Sequence, residues 1–169
     1  MCCGLQSVIP RKLGKECHLV RNDLSKVCHD GSVKVDELFG VYTFPQVHQM
    51  VSTISGDLKE GVSFSEIFKA TFPMGSMTGA PKHKVMQLIE EYEPVGRGLF
   101  SGSVGYIDPE GNFDFNVIIR SILYNESKKV FSYYAGSGIT FYSDAEKEWE
   151  ECSLKASAIK KILTPDDNQ

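Results

Sequence analysis

The chain has 169 residues, 41% of them hydrophobic and 24% charged, the size and balance of one folded domain with a real core, which excludes a disordered or fibrous chain. A formal net charge of −4 with no dense Lys/Arg stripe argues against a nucleic-acid partner and leaves room for a small anion in a local cleft. No apolar run approaches the length of a membrane span and no signal-peptide core stands at the N-terminus, so a cytoplasmic protein with no membrane partner is expected.

Residues 1–17, MCCGLQSVIPRKLGKEC, show no clear period and read as an irregular N-terminal segment; a folded domain is expected over 18–163 and a polar tail over 164–169. Five cysteines, odd in number and without paired Cys-x-x-Cys spacing, read as reduced thiols. Residues 32–44 and 46–57 are rich in β-branched and aromatic side chains and predict two strands divided by Pro45. Ser63-Phe-Ser-Glu66 has capping-box spacing and opens a short helix through Ala70.

The loop FPMGSMTGAPK at 72–82 leads into HKVMQLIEEYE, where Val85, Leu88, Ile89 and Tyr92 recur at helical spacing and Pro81 suits the first helical position. Two readings stay open. In one, free N–H groups, the close approach allowed by Gly75 and Gly79, the Thr78 hydroxyl and the Lys82 ammonium together hold a carboxylate or phosphate. In the other, this is an ordinary capped helix. Beyond Pro94 three strand-like runs, 99–107, 113–124 and 129–142, are joined by turns at 108–112 and 125–128 and predict an antiparallel meander. Ser143-Asp-Ala-Glu146 is a second capping-box spacing, opening a last helix to about Leu163.

On that helix Glu148, Glu151 and Lys155 fall at i, i+3 and i+7 and share a face, while Trp149, Cys152, Ala156 and Ile159 read as core. Two carboxylates beside an anion-binding loop make a platform for a hard cation such as Mg²⁺; the alternative is a solvated Glu/Lys face. Arg120 ends the apolar run NVII, where its charge needs either a ligand carboxylate or an internal ion pair.

VRNDLSKVC at 20–28, VHQMVSTISG at 47–56, the run from PMGSMTGAPK through FDFNVIIRS, AGSGITFYSD at 135–144 and EKEWEECSLKA at 146–156 stand in one order. Together they resemble the C-terminal half of the chorismate-utilising enzymes, the family of aminodeoxychorismate synthase component I, anthranilate synthase component I and the isochorismate and salicylate synthases. The resemblance runs from Leu19 to about Ile162, and its wording is most similar to aminodeoxychorismate synthase component I. It implies an α/β fold: an antiparallel sheet from 32–57 and 99–142 with helices 81–93 and 145–163 on one face, part of an α/β/β/α sandwich. It further implies that Glu151 binds Mg²⁺ with Glu148 beside it, and that Lys155 partners the ring carboxylate of chorismate. Arg120 with Gly136, Ser137 and Gly138 would hold the enolpyruvyl carboxylate, His48 would stand beside the ring, and Thr78 and Gly79 would line the floor. The implied reaction replaces the 4-hydroxyl of chorismate with ammonia from a glutamine amidotransferase subunit, giving 4-amino-4-deoxychorismate.

Against that pattern the chain lacks the Pro-Ile-Lys-Gly-Thr segment that carries the family's proposed lysine nucleophile, and GKECHLVRNDL replaces the run holding the first metal glutamate, with Glu16 as a substitute candidate. Phe100 stands where the family has a tyrosine that reaches the substrate. The chain is therefore expected to be a truncated, catalytically incomplete part of the fold.

Overall fold

The computed structural model describes residues 5–8, 14–45 and 48–163. Cys2, Cys3 and the 164–169 tail lie outside them. Two compact units make up the chain, Met1–Gly96 and Arg97–Gln169.

The first unit contains β1 (Leu5–Val8), α1 (Gly14–Ser25), β2 (Lys34–Thr43), β3 (His48–Ser55), α2 (Phe64–Thr71) and α3 (Lys82–Tyr92). Its antiparallel sheet has the order β1-β3-β2. Among the residues whose burial is described, the sheet's buried ones, Val51, Ser52 and Ile54, lie on the central strand. Two elements arise where an irregular segment was expected. Four residues are too few to show a period, yet Leu5–Val8 pairs with β3 from Leu5↔Ile54 to Val8↔Val51, which satisfies its main chain. The α1 helix forms because Cys17, Val20 and Leu24 recur on one face, and with Val27, Cys28 and Ile54 they make the buried cluster of this unit.

The edge strand β2 is largely exposed and irregular between Val35 and Gly40. There the Phe39 N–H donates to the Ser52 hydroxyl at 3.0 Å, giving that buried oxygen a partner. The Ser63–Glu66 capping box is present as expected. Pro81 is the residue before α3 rather than its first helical residue: ψ is 134°, extended, while its carbonyl already accepts from Val85 N–H at 3.1 Å.

The second unit holds β4 (Ser103–Ile107), β5 (Phe113–Val117), β6 (Ile122–Asn125), β7 (Val130–Tyr133) and α4 (Ala145–Leu163). The α/β class and the antiparallel pairing are as expected, but the continuous sheet is not. Among the described residues the strands form the three-stranded sheet and two separate hairpins, β4-β5 and β6-β7. The expected middle strand breaks at 118–121, where the Ile119 N–H turns back to Val117 O at 2.9 Å and Arg120 has φ 51°. A positive φ takes a non-glycine residue out of extended backbone, so the ladder stops there.

Asp144, one residue after the expected Ser143, caps α4: its Oδ1 accepts from Lys147 N–H at 3.1 Å. Glu148, Ala156 and Ile159 are buried along this helix and Cys152 half-buried, a stripe at helical spacing. Trp149, expected in the core, is 72% exposed, because one residue on from Glu148 turns it about 100° off that stripe. Among the described residues no helix is long and apolar enough to cross a membrane.

Candidate functional site

In the first unit the loop before α3 rests on α1. Gly75 is buried at the start of a single 3₁₀ turn, Gly75–Met77, and a Cβ there would come within 3.0 Å of Leu19 Cβ. The Thr78 hydroxyl donates to Met74 O at 3.1 Å, which fixes its proton inside the loop and leaves its oxygen as an acceptor. Gly79 has φ 156°, and a Cβ on it would lie 3.1 Å from Val85 Cγ2, so backbone and α3 meet closely.

Lys82, read from sequence as a ligand-facing ammonium, turns inward and pairs with Asp23 of α1. Asp23 is 4% exposed and also accepts from Lys26 at 2.9 Å. Sequence reading missed Asp23, although the signal was present: residues 20, 23, 24 and 27 follow helical spacing, and a carboxylate on such a stripe needs a partner. His48 opens β3 exposed, opposite Thr43, with Nδ1 3.1 Å from the Thr43 hydroxyl.

In the second unit one lysine draws the expected residues together. Lys155 Nζ lies 2.7 Å from Glu151 Oε1 and donates to Gly136 O at 2.9 Å, joining the acidic face of α4 to the Gly136-Ser137-Gly138 loop. Phe100 stacks on Tyr134, a residue the sequence did not mark, at 5.6 Å between ring centres; a Cβ on Gly136 would lie 4.0 Å from the Phe100 ring. Arg120 is exposed at the strand break, and no hydrogen bond or ion pair holds its guanidinium among the described residues. Its φ of 51° replaces the expected strand position.

Glu148 is buried at 8% exposure and Glu151 is about half exposed, so α4 offers one sheltered and one accessible carboxylate a turn apart. Oxygen donors of that kind suit Mg²⁺, which takes one or two carboxylates and fills the rest of its shell with water and substrate anions. Among the described residues no group of three or more His, Cys, Asp or Glu is arranged around a cation. Glu16 falls in the first turn of α1, and its side chain lies outside the described residues. Burial, with nearby Asp57 adding to it, pushes the Cys28 thiol above its usual range and marks it as a core residue rather than a nucleophile.

The Lys155 cluster of the second unit and the glycine loop of the first each carry groups that suit a small anion. Residues 17–161 match the chorismate binding enzyme family, and the chain belongs to it. It is 45% identical over 140 residues to an aminodeoxychorismate synthase of Arabidopsis thaliana named as chloroplastic, covering 83% of this chain and 15% of that protein. To anthranilate synthase component 1 of Aquifex aeolicus it is 43% identical over 145 residues, covering 86% of this chain and 29% of that protein. The crystal structure of anthranilate synthase component I from Streptococcus pneumoniae superposes with a TM-score of 0.77 at 32% identity, over 85% of this chain and 33% of that one. The chain thus spans less than a third of the length of these two curated relatives, which carry the names of two different reactions.

Proposed function

We propose that this chain supplies part of a chorismate site, and that the reaction served is amination at C4: ammonia bonds to the ring, the 4-hydroxyl leaves as water, and 4-amino-4-deoxychorismate forms. The observation that carries the reading is Lys155, which ties Glu151 to the Gly136 carbonyl and so places carboxylate, ammonium and glycine loop in one cluster. Lys155 suits one carboxylate of the substrate, and the Gly136-Ser137-Gly138 amides and Arg120 suit the other; the first unit offers, by itself, an acceptor oxygen at Thr78 and close backbone approach at Gly79. Holding both ends of a dicarboxylate fixes its ring for attack. Glu151 and Glu148 would hold Mg²⁺, whose charge offsets that of a bound carboxylate. Ammonia would come from a glutamine amidotransferase subunit. The wording of the 74–82 loop, of FDFNVIIRSILYN and of AEKEWEECSLKA supports amination at C4 over anthranilate formation.

Two chimeras test this: residues 17–161 replace the matching segment in the Arabidopsis and in the Aquifex relatives. Supplied with chorismate, ammonium and Mg²⁺, the first is expected to yield 4-amino-4-deoxychorismate, read as 4-aminobenzoate through a coupled lyase, and the second to make anthranilate poorly. The reverse pattern would assign the segment to anthranilate synthesis. In the active chimera Glu151→Gln is expected to raise the Mg²⁺ needed for half-activity by at least about tenfold; an unchanged requirement removes Glu151 as a ligand.

A further inference from the structure

The loop that begins at Gly75 is fastened to one face of α1 at two places. Leu19 meets Gly75, and Asp23, one turn further along, holds Lys82. Thr78 and Gly79 lie between these fastenings. Lys26 reaches Asp23 from the same stretch of chain and is about half exposed, so that contact is local. Lys82 comes from 59 residues away and its side chain is only 17% exposed, so its ammonium is spent on a long-range constraint. A carboxylate at 4% exposure is costly unless paired, which makes the contact with Lys82 demanding on both sides.

We infer that Asp23 is a positioning residue: by drawing Lys82 inward it anchors the first turn of α3 to α1 and fixes the Gly75–Gly79 backbone, so that backbone amides, not the Lys82 charge, face an anionic ligand. The ligand side of this inference rests on the chorismate reading above; the anchoring side stands without it.

The test uses the full 169-residue chain as wild type, Asp23→Asn, Lys82→Met and the double variant. Amide hydrogen exchange over 74–83 is expected to quicken about tenfold in each single variant, with β4 and β5 unchanged, and the double variant should add nothing because one pair is being broken twice. Unchanged exchange, or quickening spread evenly through α1 and β3, overturns the anchor. Calorimetry with chorismate decides the ligand side by its sign. Positioning predicts binding weakened about tenfold in Asp23→Asn as well as in Lys82→Met. Were Lys82 a direct anion contact, Asp23→Asn would release it and binding would tighten, which overturns the inference. If the single variants quicken the loop while the wild-type chain binds no chorismate, the anchor stands and the reading of this loop as a chorismate contact is overturned instead.

Discussion

The two units of this chain solve the folding problem differently. In the first, Leu24, Cys28 and Ile54 are completely buried and six residues from helix, loop and central strand form one cluster. In the second, Ala156 and Ile159 are the buried apolar residues among those described, while Val104, Tyr106, Phe131, Phe141 and Leu154 are more than half exposed. The first unit is thus a conventional core that happens to carry a glycine loop. The second is a frame of two hairpins and a helix whose most sheltered polar group is Glu148, a carboxylate the site reading needs. The first unit gathers its apolar side chains and the second leaves many of its own exposed, and that difference is open to measurement.

The largest contrast lies in truncating leucines. Leu24→Ala removes a side chain with no exposure and should destabilise the first unit by about 2–5 kcal/mol. Leu154→Ala, at 73% exposure, should change stability by less than about 0.5 kcal/mol. Urea unfolding followed by hydrogen exchange reads each unit separately. A large loss at Leu154 would show the second unit to be packed like the first.

A smaller effect is expected at Gly105, opposite Phe115 in the β4-β5 hairpin. A Cβ there would collide with Asp114 O, a backbone atom that cannot step aside, so Gly105→Ala should cost about 1–3 kcal/mol. The loss should appear as faster exchange in β4 and β5 with the Leu24 cluster untouched. Equal loosening of both units would abolish the distinction between them.

Legibility in the sequence follows the same line. Helix α3 could be read from its period, the β2-β3 pair from its strand composition around Pro45 and α2 from the capping box at Ser63. β1 could not, since four residues carry no period and its pairing to β3 is entirely long-range. The break at Arg120 was hidden because NVIIRSILY has strand composition throughout, and only the local turn from Val117 to Ser121 interrupts it. On α4 the spacing put Glu151 and Lys155 on one face, where they pair, but the tie to Gly136 is tertiary and has no sequence signature. The partner of Lys82 was hidden for the same reason: a motif lysine at a helix start looks free until its buried partner, Asp23, is found.

The smallest expected effect is a pH dependence confined to the first unit. The Glu66 carboxylate accepts from the Ser63 hydroxyl at 2.6 Å and from the Ser63 N–H at 2.8 Å, and these hydrogen bonds, the side-chain one foremost, hold its pKa below the ordinary glutamate value. A carboxyl whose folded-state pKa is depressed binds protons more readily when unfolded. Its contribution is therefore complete above the unfolded-state pKa and is lost as pH falls through the folded one. Acidification from about pH 6 toward pH 3, across the range where free glutamate titrates, should quicken exchange in α2 before other buried amides of the first unit follow. Glu66→Gln keeps a side chain that can still accept from Ser63 but no longer titrates, so it should flatten that pH dependence while leaving α2 helical at neutral pH. A variant whose α2 loosens on acidification as the wild type does would place the responsible proton elsewhere and leave the cap a neutral feature.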